Sequence, residues 1–135
     1  MSKSASVRLA SAAIAAVALS AGALMAGPAG AAVIAAQALV APVTHAGPCP
    51  FEFQFKGKIV SNSPGVVKYR WIRSDGAIAP IQTLDFRERG EKFVTDTWTI
   101  GRTYGGWEAV RILSPNPLVS NHAAFKLVCK SPLVP

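Results

Sequence analysis

FEFQFKGKI, residues 51–59, alternates Phe51, Phe53, Phe55 and Ile59 with Glu52, Gln54, Lys56 and Lys58. Successive side chains of an extended strand point to opposite faces, so this period of two puts the apolar residues on one side and the polar ones on the other. A helix would scatter the same residues around its circumference. The stretch predicts a half-buried strand, and the segments beyond it continue the pattern. NSPG, residues 62–65, is turn chemistry, and after it Val67, Tyr69 and Trp71 share one face while Lys68 and Arg70 take the other. SDG, residues 74–76, closes this second strand with Asp75-Gly76 as the turn. Pro80 cannot donate to a central ladder, and a third strand resumes with IQTLDF at Ile81.

EKFVTDTWTIG, residues 91–101, is rich in threonine and aromatics and aligns Val94, Trp98 and Ile100. GGWEAVRIL brings Val110 and Ile112 together, and SPNP, residues 114–117, is a loop that cannot be helix. HAAFKLVCK sets Phe125, Leu127 and Cys129 against Lys126, Val128 and Lys130. Six strands and no helix, with turns between them, predict an all-β domain, an antiparallel β-sandwich of about six to seven strands.

The first residues have a different character. Lys3 and Arg8 precede an uncharged, alanine-rich run over 9–26 and then Gly27-Pro28, the layout of a signal peptide. A transmembrane helix is the rival reading, disfavoured by the alanine content and by the lack of a basic stop-transfer cluster. Cleavage is expected after Ala29-Gly30-Ala31, or as late as Ala36-Gln37-Ala38. The expected layout is a signal peptide over 1–31, an apolar extension over 32–48, a β-sandwich over 49–130 and a tail over 131–135. The extension, with Val33, Ile34, Leu39, Val40, Val43 and His45, lacks a polar face and reads as a leader remnant or linker, or else as an arm that docks on a partner. Fourteen Lys and Arg against seven Asp and Glu give +7, and loss of Lys3 and Arg8 with the leader leaves twelve against seven, +5. That balance suits anionic partners and equally serves solubility.

Cys49 and Cys129 are the two cysteines, both beyond the leader where oxidation is permitted, and a disulfide between them is expected. Their parity with Phe51 and Leu127 points both sulfurs toward the core. The series CPFEFQFKGKI, PGVVKYRWIRSDGA, DTWTI, GGWEAVRILSPN and SNHAAFKLVC resembles small secreted immunoglobulin-like domains of actinobacteria with one terminal disulfide. The resemblance spans nearly the whole region between the cysteines and implies an immunoglobulin-like fold and export, with no particular activity. In antibody-type domains the cysteines link the sheets from mid-strand positions, so recognition loops of that kind are not implied.

Catalytic chemistry finds little material. The two histidines, His45 and His122, lie far apart, no spacing suits a zinc site, and no metal or cofactor is expected. Ser74, Asp75 and His122 lack a nucleophile-elbow context. Glu52, Asp85, Glu88, Glu91, Asp96 and Glu108 read as solvated charge balance. KYRWIRSDG, residues 68–76, has the cations and rings of a nucleic-acid groove, but alternation sends Tyr69 and Trp71 to one face and Lys68 and Arg70 to the other, so nucleic acid is not expected. Tyr104 and Trp107 flank Gly105-Gly106 in an expected turn and, with Arg102, form a candidate sugar-stacking set; otherwise Trp107 covers the end of the core. The expected function is a secreted, non-enzymatic binding domain. A protein partner is favoured, as for an adaptor or inhibitor subunit of an extracellular assembly, with a carbohydrate or cell-wall binder and a purely structural domain as alternatives. Membrane contact is expected only through the leader.

Overall fold

A computed structural model describes residues 32–131 of the 135-residue chain. The expected signal peptide lies outside the described residues, as does all but the first residue of the expected C-terminal tail. Nine strands are described: β1 (Val33–Ala41), β2 (Thr44–Gly47), β3 (Phe51–Ser61), β4 (Gly65–Arg73), β5 (Gln82–Phe86), β6 (Gly90–Ile100), β7 (Tyr104–Ser114), β8 (Leu118–Val119) and β9 (Ala123–Cys129). They form a three-stranded sheet, β1-β3-β6, and a six-stranded sheet, β2-β9-β7-β4-β5 with β8 on β7. Among the described residues no helix is long and apolar enough to cross a membrane.

The alternation read in the sequence becomes the core. Phe53, Phe55 and Ile59 of β3 meet Val67, Tyr69 and Trp71 of β4, Val110 and Ile112 of β7, and Phe125 and Leu127 of β9, all buried. Phe53 and Phe125 approach to 4.5 Å between ring centroids across the two sheets. Gly57 continues the inward row of β3 without a side chain. A Cβ there would lie 2.8 Å from Val110 Cγ2 and 3.2 Å from a ring carbon of Trp71, so the indole occupies the space that glycine leaves. Asp75-Gly76 makes the expected turn: the Asp75 carboxylate accepts from the Ala77 amide at 2.9 Å, and Gly76 holds φ +92°, a left-handed conformation that favours glycine.

The apolar extension expected over 32–48 is corrected. Residues 33–41 form β1, paired antiparallel with β3 over its length, and residues 44–47 form β2, parallel to β9. Val33 and Ala38 are buried in the core. Alanine-rich composition hid the strand, because its alanines show little contrast between the two faces and β1 is held by pairing beside β3 at the edge of its sheet. Two asparagines close the outer edge of β1. Asn116 accepts from the Val33 amide at 2.9 Å and donates to the Val33 carbonyl at 3.0 Å, and Asn121 does the same for Ala38 at 2.9 Å each. These side-chain amides take the place of a neighbouring strand at Val33 and Ala38, the two positions of this edge that they occupy.

Cys49 and Cys129 are joined by a disulfide with Cα atoms 5.5 Å apart. Both half-cystines pack against the core, as their parity requires. The bond ties the β2–β3 connection to the end of β9, where Gly47 already pairs with Cys129. It does not join the first strand to the last.

Candidate binding surfaces

Three regions carry polar or aromatic groups beyond what the core uses. The first centres on Arg73 at the end of β4. Its Nε donates to Glu108 Oε2 at 2.6 Å, its Nη2 donates to Asp96 Oδ2 at 3.3 Å and to the Thr97 carbonyl at 3.0 Å, and its guanidinium lies 4.6 Å from the Trp98 ring centroid. Glu108, expected as solvated charge, is instead fully buried, and its Oε1 has no partner. Its parity with Val110 and Ile112 was the overlooked signal. Burial is the main force raising its pKa from 4.5 to about 8; the Arg73 hydrogen bond opposes the rise and the Asp96 charge adds to it. Burial and the neighbouring Asp96 charge thus favour the protonated form of Glu108, while the Arg73 guanidinium favours the ionised one. A cavity of about 260 Å³ beside it is lined by Arg73, Ala77, Ile78, Ala79, Pro80 and Asp96. No group among the described residues combines three or more His, Cys, Asp or Glu in a metal-binding arrangement.

The second region is the expected sugar-stacking set, and the geometry divides it. Gly105-Gly106 do not form a turn; they lie within β7, paired with Lys126 and Phe125. Tyr104 and Trp107, three residues apart on one strand, therefore face opposite sides. Tyr104 turns inward, its hydroxyl 3.1 Å from Ser74 Oγ and its ring against Trp98 and Phe125. Gly106 makes this possible, since a Cβ there would sit 2.6 Å from the Tyr104 ring and 2.5 Å from Ser74 Oγ. Trp107 stacks outward on His122, centroids 3.5 Å apart and planes 11° from parallel. Arg102 covers the Tyr104 ring at 4.6 Å. The three residues form no shared platform.

The third region is the outer face of the three-stranded sheet, where the expected partner-binding residues separate. Val33 and Val40 turn inward, and His45 is half-buried and stacked on Phe51 at 3.7 Å. Ile34, Leu39 and Val43 remain exposed. Leu39, 68% exposed, stands opposite Lys56, and Lys58 stands between Gln37 and Phe93, itself 55% exposed. Lys56 Nζ lies 4.6 Å from the Phe93 ring centroid, and Lys58 pairs with Glu91 at 3.5 Å. Two clefts open here, one of about 180 Å³ lined by Gln37, Leu39, Lys56, Gly57, Lys58 and Phe93, the other of about 460 Å³ beside Leu39, Val40, Gln54 and Thr95. Phe93 was missed because it falls on the polar side of its strand's alternation. A large ring on a solvent face is itself the signal.

Comparison with known proteins places the fold. No protein-family model and no curated protein matches the chain. Among solved structures it is similar to the CARDB domain of the PF1109 protein of Pyrococcus furiosus, solved in complex with di-metal ions, with a TM-score of 0.55 and 14% identity over 70% of this chain and 94% of that one. It is also similar to part of a β-glucosidase, EmGH1, of Erythrobacter marinus, with a TM-score of 0.52 and 9% identity over 73% of this chain and 15% of that one. The fold is an immunoglobulin-like β-sandwich. At these identities the likeness concerns fold alone.

Proposed function

We propose that this chain is a secreted, non-enzymatic protein-binding domain whose contact surface is the outer face of the β1-β3-β6 sheet. One observation carries this reading: Leu39 and Phe93, both large, apolar and exposed, stand on one face with Lys56 and Lys58 between them and clefts alongside. Apolar anchors beside cationic side chains fit a partner that offers an apolar knob rimmed by carboxylates. The Cys49–Cys129 bond supports work in an oxidising compartment, and the signal-like leader supports export. An adaptor or inhibitor subunit of an extracellular assembly suits a domain of this size. The divided arrangement of Arg102, Tyr104 and Trp107 makes a stacking site for sugars the weaker choice.

The test is co-purification from culture medium of the native host, using tagged wild type, Leu39→Asp and Trp107→Ala. A stoichiometric secreted partner that is lost with Leu39→Asp and kept with Trp107→Ala supports this surface. Absence of any stoichiometric partner, or a partner indifferent to Leu39→Asp, removes the proposal. Loss of cell-wall retention with Trp107→Ala alone would put a glycan in the partner's place.

A further inference from the structure

The other sheet carries an unexplained pair of charges. Arg70 of β4 and Arg111 of β7 are directly opposite in the antiparallel register. Their inward neighbours Tyr69, Trp71, Val110 and Ile112 are buried, so both arginines project from the outer face of the six-stranded sheet. Side chains at such positions start about 4.5–5.5 Å apart at Cβ, and like charges there are destabilising. No carboxylate relieves them among the described residues, where the ion pairs engage Lys58 and Arg73. Asp85 stands opposite Val66, four residues along β4 from Arg70, or about 13 Å. Glu108 and Asp96 are held by Arg73. Arg70 Nε is moreover buried with no hydrogen-bond partner. Arg111 is exposed, and because Arg70 Nε is withdrawn from the surface, that guanidinium meets a ligand through its Nη groups.

We propose that Arg70 and Arg111 bind a phosphate-class oxyanion between them on this face. Each guanidinium presents a planar fork of donors, and two neighbouring forks suit an anion with three or four acceptor oxygens around one centre, where a carboxylate has two. Lys68, on the same face two residues before Arg70 and opposite Thr83, adds a third positive charge at the rim. The bound anion offsets the repulsion between the arginines and accepts from their Nη donors. This site lies on the sheet opposite the proposed protein-binding surface, so it stands or falls separately.

The experiment is a titration of the ¹⁵N-labelled protein, following the arginine Nε–Hε resonances, with sodium phosphate against sodium chloride at matched ionic strength. The Arg70 signal is expected to shift saturably with phosphate and not with chloride. Arg111→Gln, at an exposed position, is expected to weaken the apparent affinity about tenfold or more, the equivalent of one lost charged hydrogen bond. The same variant should melt higher than wild type in chloride and gain less from phosphate. A parallel titration with a short phosphodiester oligomer separates the sources: saturation by inorganic phosphate identifies the free ion as sufficient, and saturation by the oligomer alone identifies a polymer-borne group. Shifts no larger than those in chloride for both ligands, or a saturable shift that Arg111→Gln leaves unchanged, overturn the site.

Discussion

Raising the pH should destabilise this protein through Glu108. Burial raises the pKa of its carboxyl to about 8 in the folded state, whereas in the unfolded chain it ionises near 4.5. A folded pKa above the unfolded one means that the native state binds the extra proton. The resulting stability is complete below about pH 4.5 and is lost as pH rises toward and through 8. The difference of about 3.5 pKa units, at about 1.4 kcal/mol each, sets a ceiling of about 5 kcal/mol. Relaxation around the cavity beside Arg73 and the favourable bond from Arg73 to the ionised form lower this, and a loss of about 2–5 kcal/mol between pH 5 and pH 9 is expected. The assay is urea denaturation followed by the fluorescence of Trp71 and Trp98 at a series of pH values, for wild type and Glu108→Gln. The glutamine retains the shape and an acceptor for Arg73 Nε, so its stability should be nearly level over the range and should exceed that of wild type at the alkaline end. A wild-type stability that is flat or rises with pH, or a Glu108→Gln variant with the same downward slope, would refute the assignment of a buried, protonated carboxyl.

Other expectations concern how the sandwich is held. Replacing Asn121 by Ala removes both bonds to the Ala38 peptide and should lower stability by about 1–3 kcal/mol; the Ala38 amide should exchange faster with solvent, and unchanged exchange would show that the edge is closed by something else. Gly57→Ala forces a methyl group against Val110, Val94 and Trp71 and should destabilise by about 1–3 kcal/mol, read from the denaturation midpoint, with no loss if β3 can move outward. Cys49→Ala with Cys129→Ala opens a closure spanning 80 residues and should lower stability by about 2–5 kcal/mol, visible as a drop in Tm that added reductant reproduces in wild type.

The extent to which the chain could be read in advance differs between fold and surface. Alternation over residues 51–59 and its counterparts in β4, β6 and β9 prescribed which side chains enter the core, because the two faces of a strand differ by a single residue step. Turn residues placed most of the boundaries. β1 was illegible because its alanines, glutamine and valines carry no clear period, and its strand identity comes from pairing with β3 and from the clamps of Asn116 and Asn121, residues about eighty positions away. Glu108 was misread because charge was weighed above parity. Only the arrival of Arg73 from a neighbouring strand makes a carboxyl tolerable at that inward position.

The candidate surfaces depend still more on assembly. Leu39 and Phe93 are 54 residues apart, and β3 between them brings them to one face. Arg70 and Arg111 become neighbours only because β4 and β7 pair in one register. By itself the sequence determined an all-β core with a cystine at its margin, since periodicity, turn chemistry and a cysteine count are local or compositional properties. Tertiary structure decided which edges close, which charge is buried and which exposed groups share a face, because those depend on pairing between distant segments that no local pattern records.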